Sequence, residues 1–169
     1  MMSLDLIKEL REETNCGIID CKKALEQAGG DIKKAKAILR EKGLQMALKK
    51  ASRAANEGRI EAYVHNGNKI GVLLEVNSET DFVARNDAFI QFSKDVAMHI
   101  AAMAPKYIKK DDVPAELLAT GVDTSAICLL EQPFVKDASK CIQDLLNELV
   151  AKMGENIIIG RFARYKIGE

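Results

Sequence analysis

Residues 60 to 76 constrain the fold more than any other stretch of the chain. Ile60, Ala62 and Val64 alternate with Glu61, Tyr63 and His65, and Ile70, Val72, Leu74 and Val76 alternate back after Asn66-Gly67-Asn68. A period of two sends successive side chains to opposite faces of a strand, and Asn-Gly supplies the turn chemistry of a hairpin. The second strand runs into Asn77-Ser78-Glu79-Thr80-Asp81, a cluster of capping residues that predicts a short helix over Phe82 to Arg85. Asn86-Asp87 then opens a longer helix with Phe89, Phe92, Val96, Ile100 and Met103 on one stripe, ended by Pro105. Residues 106 to 136, with Pro114 and Pro133, read as irregular. A helix is expected from about Asp137 to Lys152, carrying Ile142, Leu145, Leu146, Leu149 and Val150 on one face and stopped by Gly154. Ile157 to Tyr165, rich in branched and aromatic residues, reads as a last strand beside the hairpin. Together these predict an antiparallel sheet packed with helices.

The N-terminal part follows a different period. Leu6, Ile7 and Leu10 share one helical face, which ends near Thr14-Asn15-Cys16-Gly17. Ile18, Cys21, Ala24 and Leu25 form the apolar side of a second helix that Gly29-Gly30 terminates. Asp31 can cap a third, with Ile32, Ala35, Ile38 and Leu39 recurring at helical spacing and Gly43 expected to end it. Three short helices of this kind bury one shared core. The fold class is therefore α+β: a three-helix bundle over residues 1–50, which includes the start of a linker, and an α+β core domain over 51–169.

Composition removes several function classes. Lys+Arg and Asp+Glu are both 25 in 169 residues, so net charge is zero and general affinity for phosphate backbones is not expected. No run approaches the ~18 apolar residues of a membrane span, and the first residues lack the pattern of a secretion signal. Cys16, Cys21, Cys128 and Cys141 form no C-x-x-C, and neither His65 nor His99 lies near a cysteine, so zinc is disfavoured. The cysteines read as reduced thiols. No phosphate-binding glycine motif and no nucleophile elbow occurs.

Two segments keep open readings. Residues 33 to 53 carry eight basic side chains against Glu41, either a solvated helix face and linker or an electrostatic patch for RNA or an acidic partner. Phe82 beside Asp81, at the junction of strand and helix, is either a core plug or a projecting wedge. Apolar rings of this size are more often inside.

The stretch Asn77-Ser78-Glu79-Thr80-Asp81-Phe82-Val83-Ala84-Arg85-Asn86 resembles the Thr-Asp-Phe-Val motif region of bacterial and organellar elongation factor Ts. Leu10-Arg11-Glu12-Glu13-Thr14, Gly17 and Asp20-Cys21-Lys22-Lys23-Ala24-Leu25 resemble its N-terminal motif. Leu130 to Asp137, Ala151 to Asn156 and Arg161 to Tyr165 are similar to its tail. The resemblance implies a guanine-nucleotide exchange factor for elongation factor Tu. It implies a UBA-like (ubiquitin-associated-like) bundle docking on Tu's nucleotide-binding domain through Arg11, Ile18 and Ile19. Thr80, Asp81, Phe82 and Val83 would form a wedge near the nucleotide site, and His99 would touch another Tu domain. It implies no cofactor, metal, catalytic group, membrane or direct nucleic-acid contact, a cytoplasmic or organellar setting, and, as in the short family forms, a homodimer.

The chain departs from the family pattern in places. Asn15-Cys16 stands where Gly-Ala is usual, and only residues 115–128 separate Pro114 from Leu129, where a longer helical stretch is usual. The competing expectations are a stand-alone UBA-like binding module, a ribosome-associated RNA-binding factor and, last, a thiol enzyme using Cys16 or Cys21.

Overall fold

The computed structural model describes residues 4–14 and 16–169, so the expected helix end at Asn15 lies outside the described residues. The chain divides into two compact units, one made of Met1–Arg53 with Asn147–Asn156 and the other of Ala54–Leu146 with Ile157–Glu169.

In the first unit, helices α1 (Leu4–Thr14), α2 (Ile18–Gln27) and α3 (Ile32–Lys50) follow one another. Ile7, Leu10, Cys21, Ala24, Leu25, Ala35 and Leu39 make their common core. Gly29 and Gly30, both at positive φ, close α2, and the Asp31 carboxylate accepts the Lys34 N–H at 3.1 Å to cap α3. Two expectations are corrected. Ile18 is not on the core side: at the first turn of α2 it projects past the packed stripe and is 56% exposed. Gly43 does not end α3 but sits in its middle, buried. There the helix meets the segment 147–153, with the Asn147 carbonyl and Ala151 side chain close to where a Cβ would stand. Packing of this kind holds a helix through a glycine that sequence alone reads as a stop. The basic run expected as linker is accordingly helical through Lys50.

In the second unit, β1 (Glu57–Val64) and β2 (Ile70–Ser78) form the antiparallel hairpin, and β5 (Ile157–Lys166) pairs antiparallel to β2, in the order β1-β2-β5. Between them lie α4 (Asp81–Ala84), α5 (Asp87–Met103), α6 (Ala115–Ala119), α7 (Thr124–Ile127), β3 (Pro133–Phe134), β4 (Asp137–Cys141) and α8 (Ile142–Met153). Helix α8 starts in the second unit, and its residues from Asn147 onward count with the first. Val72, Leu74 and Val76 point to the side on which Phe89, Phe92, Val96 and Ile100 of α5 are buried. The opposite face carries Ile60, Val64, Leu73, Ile158 and Tyr165, all exposed.

Residues 106–136 are not wholly irregular, since two short helices form there. The helix expected from Asp137 begins five residues later because Asp137–Cys141 pairs back on β3. The Asp144 carboxylate then accepts the Cys141 N–H at 3.0 Å, which fixes where α8 starts. Mixed helix and antiparallel sheet make this an α+β chain.

Candidate functional site

The turn after β2 is built by short-range hydrogen bonds. Buried Ser78 donates its hydroxyl to the Thr80 carbonyl at 2.8 Å. Thr80, in extended conformation, accepts the Val83 N–H on its own hydroxyl at 3.5 Å. One turn of helix follows, and Asn86 takes the Ala88 N–H at 2.9 Å to start α5. Val83 and Ala84 are buried and hold α4 against β1, β2 and α5. Phe82 points the other way and is 85% exposed. Leaving such a ring in water forgoes about 1.5–3 kcal/mol that burial would supply, a cost the fold bears with a rigid, doubly capped turn behind it. The ring is a projection rather than a core plug. Beside it the Asp81 carboxylate meets the Arg85 guanidinium at 2.8 Å. The sequence signal for Arg85 is its spacing of four from Asp81, which suits a helical ion pair.

Arg11, Ile18 and Ile19 belong to the first unit. Arg11 lies exposed in the last turn of α1, and Ile18 and Ile19, 56% and 70% exposed, open α2 after Gly17. Two adjacent exposed isoleucines over a fully packed core make an apolar spot. Several cations of the basic run are engaged within this unit. Lys36 pairs with Glu13 at 2.6 Å and Lys42 with Asp20 at 2.5 Å, while Lys50 donates to the Gly154 carbonyl. They behave as a salt-bridged helix face.

His99 is fully buried in the second unit. Its Nδ1 accepts the Val135 N–H at 3.3 Å, which leaves Nε2 as the donor to Gln132 Oε1 at 3.0 Å. The Gln132 amide donates in turn to the Ala126 carbonyl at 2.9 Å, so its oxygen faces the imidazole. Burial pushes the His99 pKa down, against an upward pull from Gln132. The imidazole thus fastens the β3–β4 hairpin to α5, and Lys136 to Asp95 at 2.6 Å adds a second tie. The surface at this place is formed by Val135 rather than by the imidazole.

All four cysteines are free. Burial raises the thiol pKa of Cys16, Cys128 and Cys141, which keeps them protonated and poor as nucleophiles. Among the described residues no group of three or more His, Cys, Asp or Glu could hold a metal, and no helix is long and apolar enough to cross a membrane.

The family model for "Elongation factor TS" matches residues 19–124. Elongation factor Ts of Caldanaerobacter subterraneus subsp. tengcongensis is 50% identical, with 100% of this chain and 98% of the relative covered. That of Thermoanaerobacter sp. (strain X514) is 48% identical, with 100% and 96% covered. That of Thermotoga petrophila is 48% identical, with 99% and 97% covered. The aligned length of 196 residues in the first two exceeds the 169 of this chain, so those relatives carry positions without a counterpart here. Identity of this order along essentially the whole chain places it in the elongation factor Ts family, and its role is in the elongation stage of protein biosynthesis.

Proposed function

We propose that the chain is a guanine-nucleotide exchange factor that binds elongation factor Tu·GDP in the cytoplasm and promotes GDP release without covalent chemistry. The observation that carries this reading is Phe82, an aromatic ring held almost fully in solvent by a capped turn that Val83 and Ala84 anchor by their burial. GDP in a GTPase is held by backbone amides at a helix N-terminus and by Mg²⁺, the largest local charge. A protein that prefers the nucleotide-free form weakens GDP by the factor by which GDP weakens it. A wedge of Thr80, Asp81, Phe82 and Val83 that displaces a helix of the partner would loosen the phosphate and Mg²⁺ contacts in this way. Val83 is the buried root of that wedge, and Phe82 is its tip.

In this reading residues 1–50 act as the UBA-like docking bundle, with Arg11, Ile18 and Ile19 against Tu's nucleotide-binding domain, and 51–169 as the core domain. The contact with another Tu domain at His99 passes through the hairpin that the imidazole holds. The chain works as a homodimer in this reading, and the exposed sheet face of Ile60, Val64, Leu73, Ile158 and Tyr165 is an apolar surface that a twofold contact would cover.

The test is release of a fluorescent GDP analogue from elongation factor Tu in excess unlabelled GDP. Acceleration by substoichiometric chain, and its loss in a folded Phe82→Ala variant, is the expected result. Equal acceleration by both would remove Phe82 from the mechanism, and no acceleration by either would remove the exchange function.

A further inference from the structure

We propose that Arg85 is a positioning residue for the wedge, acting on the partner through the Asp81 carboxylate; the inference rests on the exchange-factor reading above. Asp81 is the first residue of α4 and Arg85 its C-terminal cap, so the two side chains stand one turn apart, with Oδ2 and Nη2 at 2.8 Å. Acid before base at a spacing of four is the favourable order on a helix.

Arg85 does little else for the fold. Its side chain is 80% exposed, and its backbone N–H already closes the helix on the Asp81 carbonyl at 3.2 Å, with the Asn86 N–H on the Val83 carbonyl at 3.0 Å. The Asp81 side chain is half exposed and takes no part in capping, a task that falls to the Thr80 hydroxyl. Without the guanidinium the half-exposed carboxylate would turn more freely about its χ angles. With it, a negative charge is held beside the exposed Phe82 ring in one orientation before the partner arrives. A surface pair of this type adds little stability. Its effect therefore falls on geometry: a preoriented carboxylate loses less freedom on docking than a mobile one.

A double-mutant cycle tests this. GDP release from elongation factor Tu is measured against concentration of the full chain for wild type, Arg85→Ala, Asp81→Asn and the double variant, with thermal melting of each as a control for folding. Arg85→Ala is expected to lower the maximal release rate about threefold or more, with an unchanged melting temperature. The double variant should be no slower than Asp81→Asn alone, and Arg85→Lys should recover most of the rate. Multiplying effects in the double variant, or a rate indifferent to Arg85→Ala, would overturn the positioning role while leaving the exchange function standing. If wild type does not speed release at all, the exchange-factor reading fails first and the role of Arg85 goes with it.

Discussion

Gln132 receives the imidazole proton of His99 across 3.0 Å in a buried setting, although the two residues are 33 positions apart in the chain. The bond joins the C-terminal part of α5 to the loop entering β3, and Val135 completes it on the other ring nitrogen.

Truncating this link should be costly. His99→Ala leaves a cavity and strips the Val135 N–H and the Gln132 carbonyl oxygen of their partner. A loss of about 2–4 kcal/mol is expected in urea unfolding. Since the imidazole is enclosed, exchange lost by a folded variant would trace to the loosened β3–β4 hairpin, and exchange that falls only with the unfolded fraction would remove that hairpin from the Tu contact.

The same residue gives stability a pH dependence. The folded-state pKa of His99 is depressed, so on acidification the unfolded chain takes up the proton first. Stability should fall as pH drops below the ordinary histidine value of about 6.5, until the folded form is protonated too. Urea midpoints between pH 5 and 8 should show this slope for wild type and lose it in His99→Gln.

Phe82→Ala should change unfolding free energy by no more than about 0.5 kcal/mol, as is usual for an exposed site. Calorimetric melting checks this. A large destabilisation would mean that the ring packs on the protein after all.

Two glycines of the hairpin should respond unequally to alanine. Gly58 has φ +145, and a Cβ there would collide with the Val76 carbonyl on the facing strand. Gly58→Ala is expected to cost about 3 kcal/mol or more. Gly67 has φ +86 in open space, so Gly67→Ala should cost about 1 kcal/mol, for backbone strain alone. Circular dichroism melts of the pair distinguish the two.

Gly43 should behave in the opposite sense. A Cβ there would stand 3.5 Å from the Asn147 carbonyl and 3.8 Å from the Ala151 Cβ, ordinary contact distances. Gly43→Ala should stabilise by about 0.5–1 kcal/mol through helix propensity, whereas Gly43→Leu should destabilise by overpacking.

Much of this architecture is legible in local pattern. The hairpin follows from strict alternation around Asn66-Gly67, and the first three helices follow from apolar spacing and the Asp31 cap. The misreadings arise where a distant partner decides. Asp137 to Cys141 has the composition of a helix start, but its pairing with β3 makes it a strand. Gly43 has the look of a terminator, yet α3 runs on through it because residues 147–153 pack there. For Phe82, residue type favours the interior, and only the burial of Val83 and Ala84 beside it explains why the ring turns out. His99 sits on the apolar stripe of α5, and nothing near it in sequence announces Gln132 or Val135.

Because Asn147–Asn156 belongs to the unit that Met1–Arg53 begins, that unit is completed only by a segment that follows Ala54–Leu146 in the chain. During synthesis the core of α1, α2 and the start of α3 can close as soon as Leu39 has emerged. The stretch of α3 around Gly43 must wait for a segment made more than ninety residues later. The far half of α3 is therefore the last part of the N-terminal helices to be packed, and any fragment that stops short of α8 leaves it half clothed.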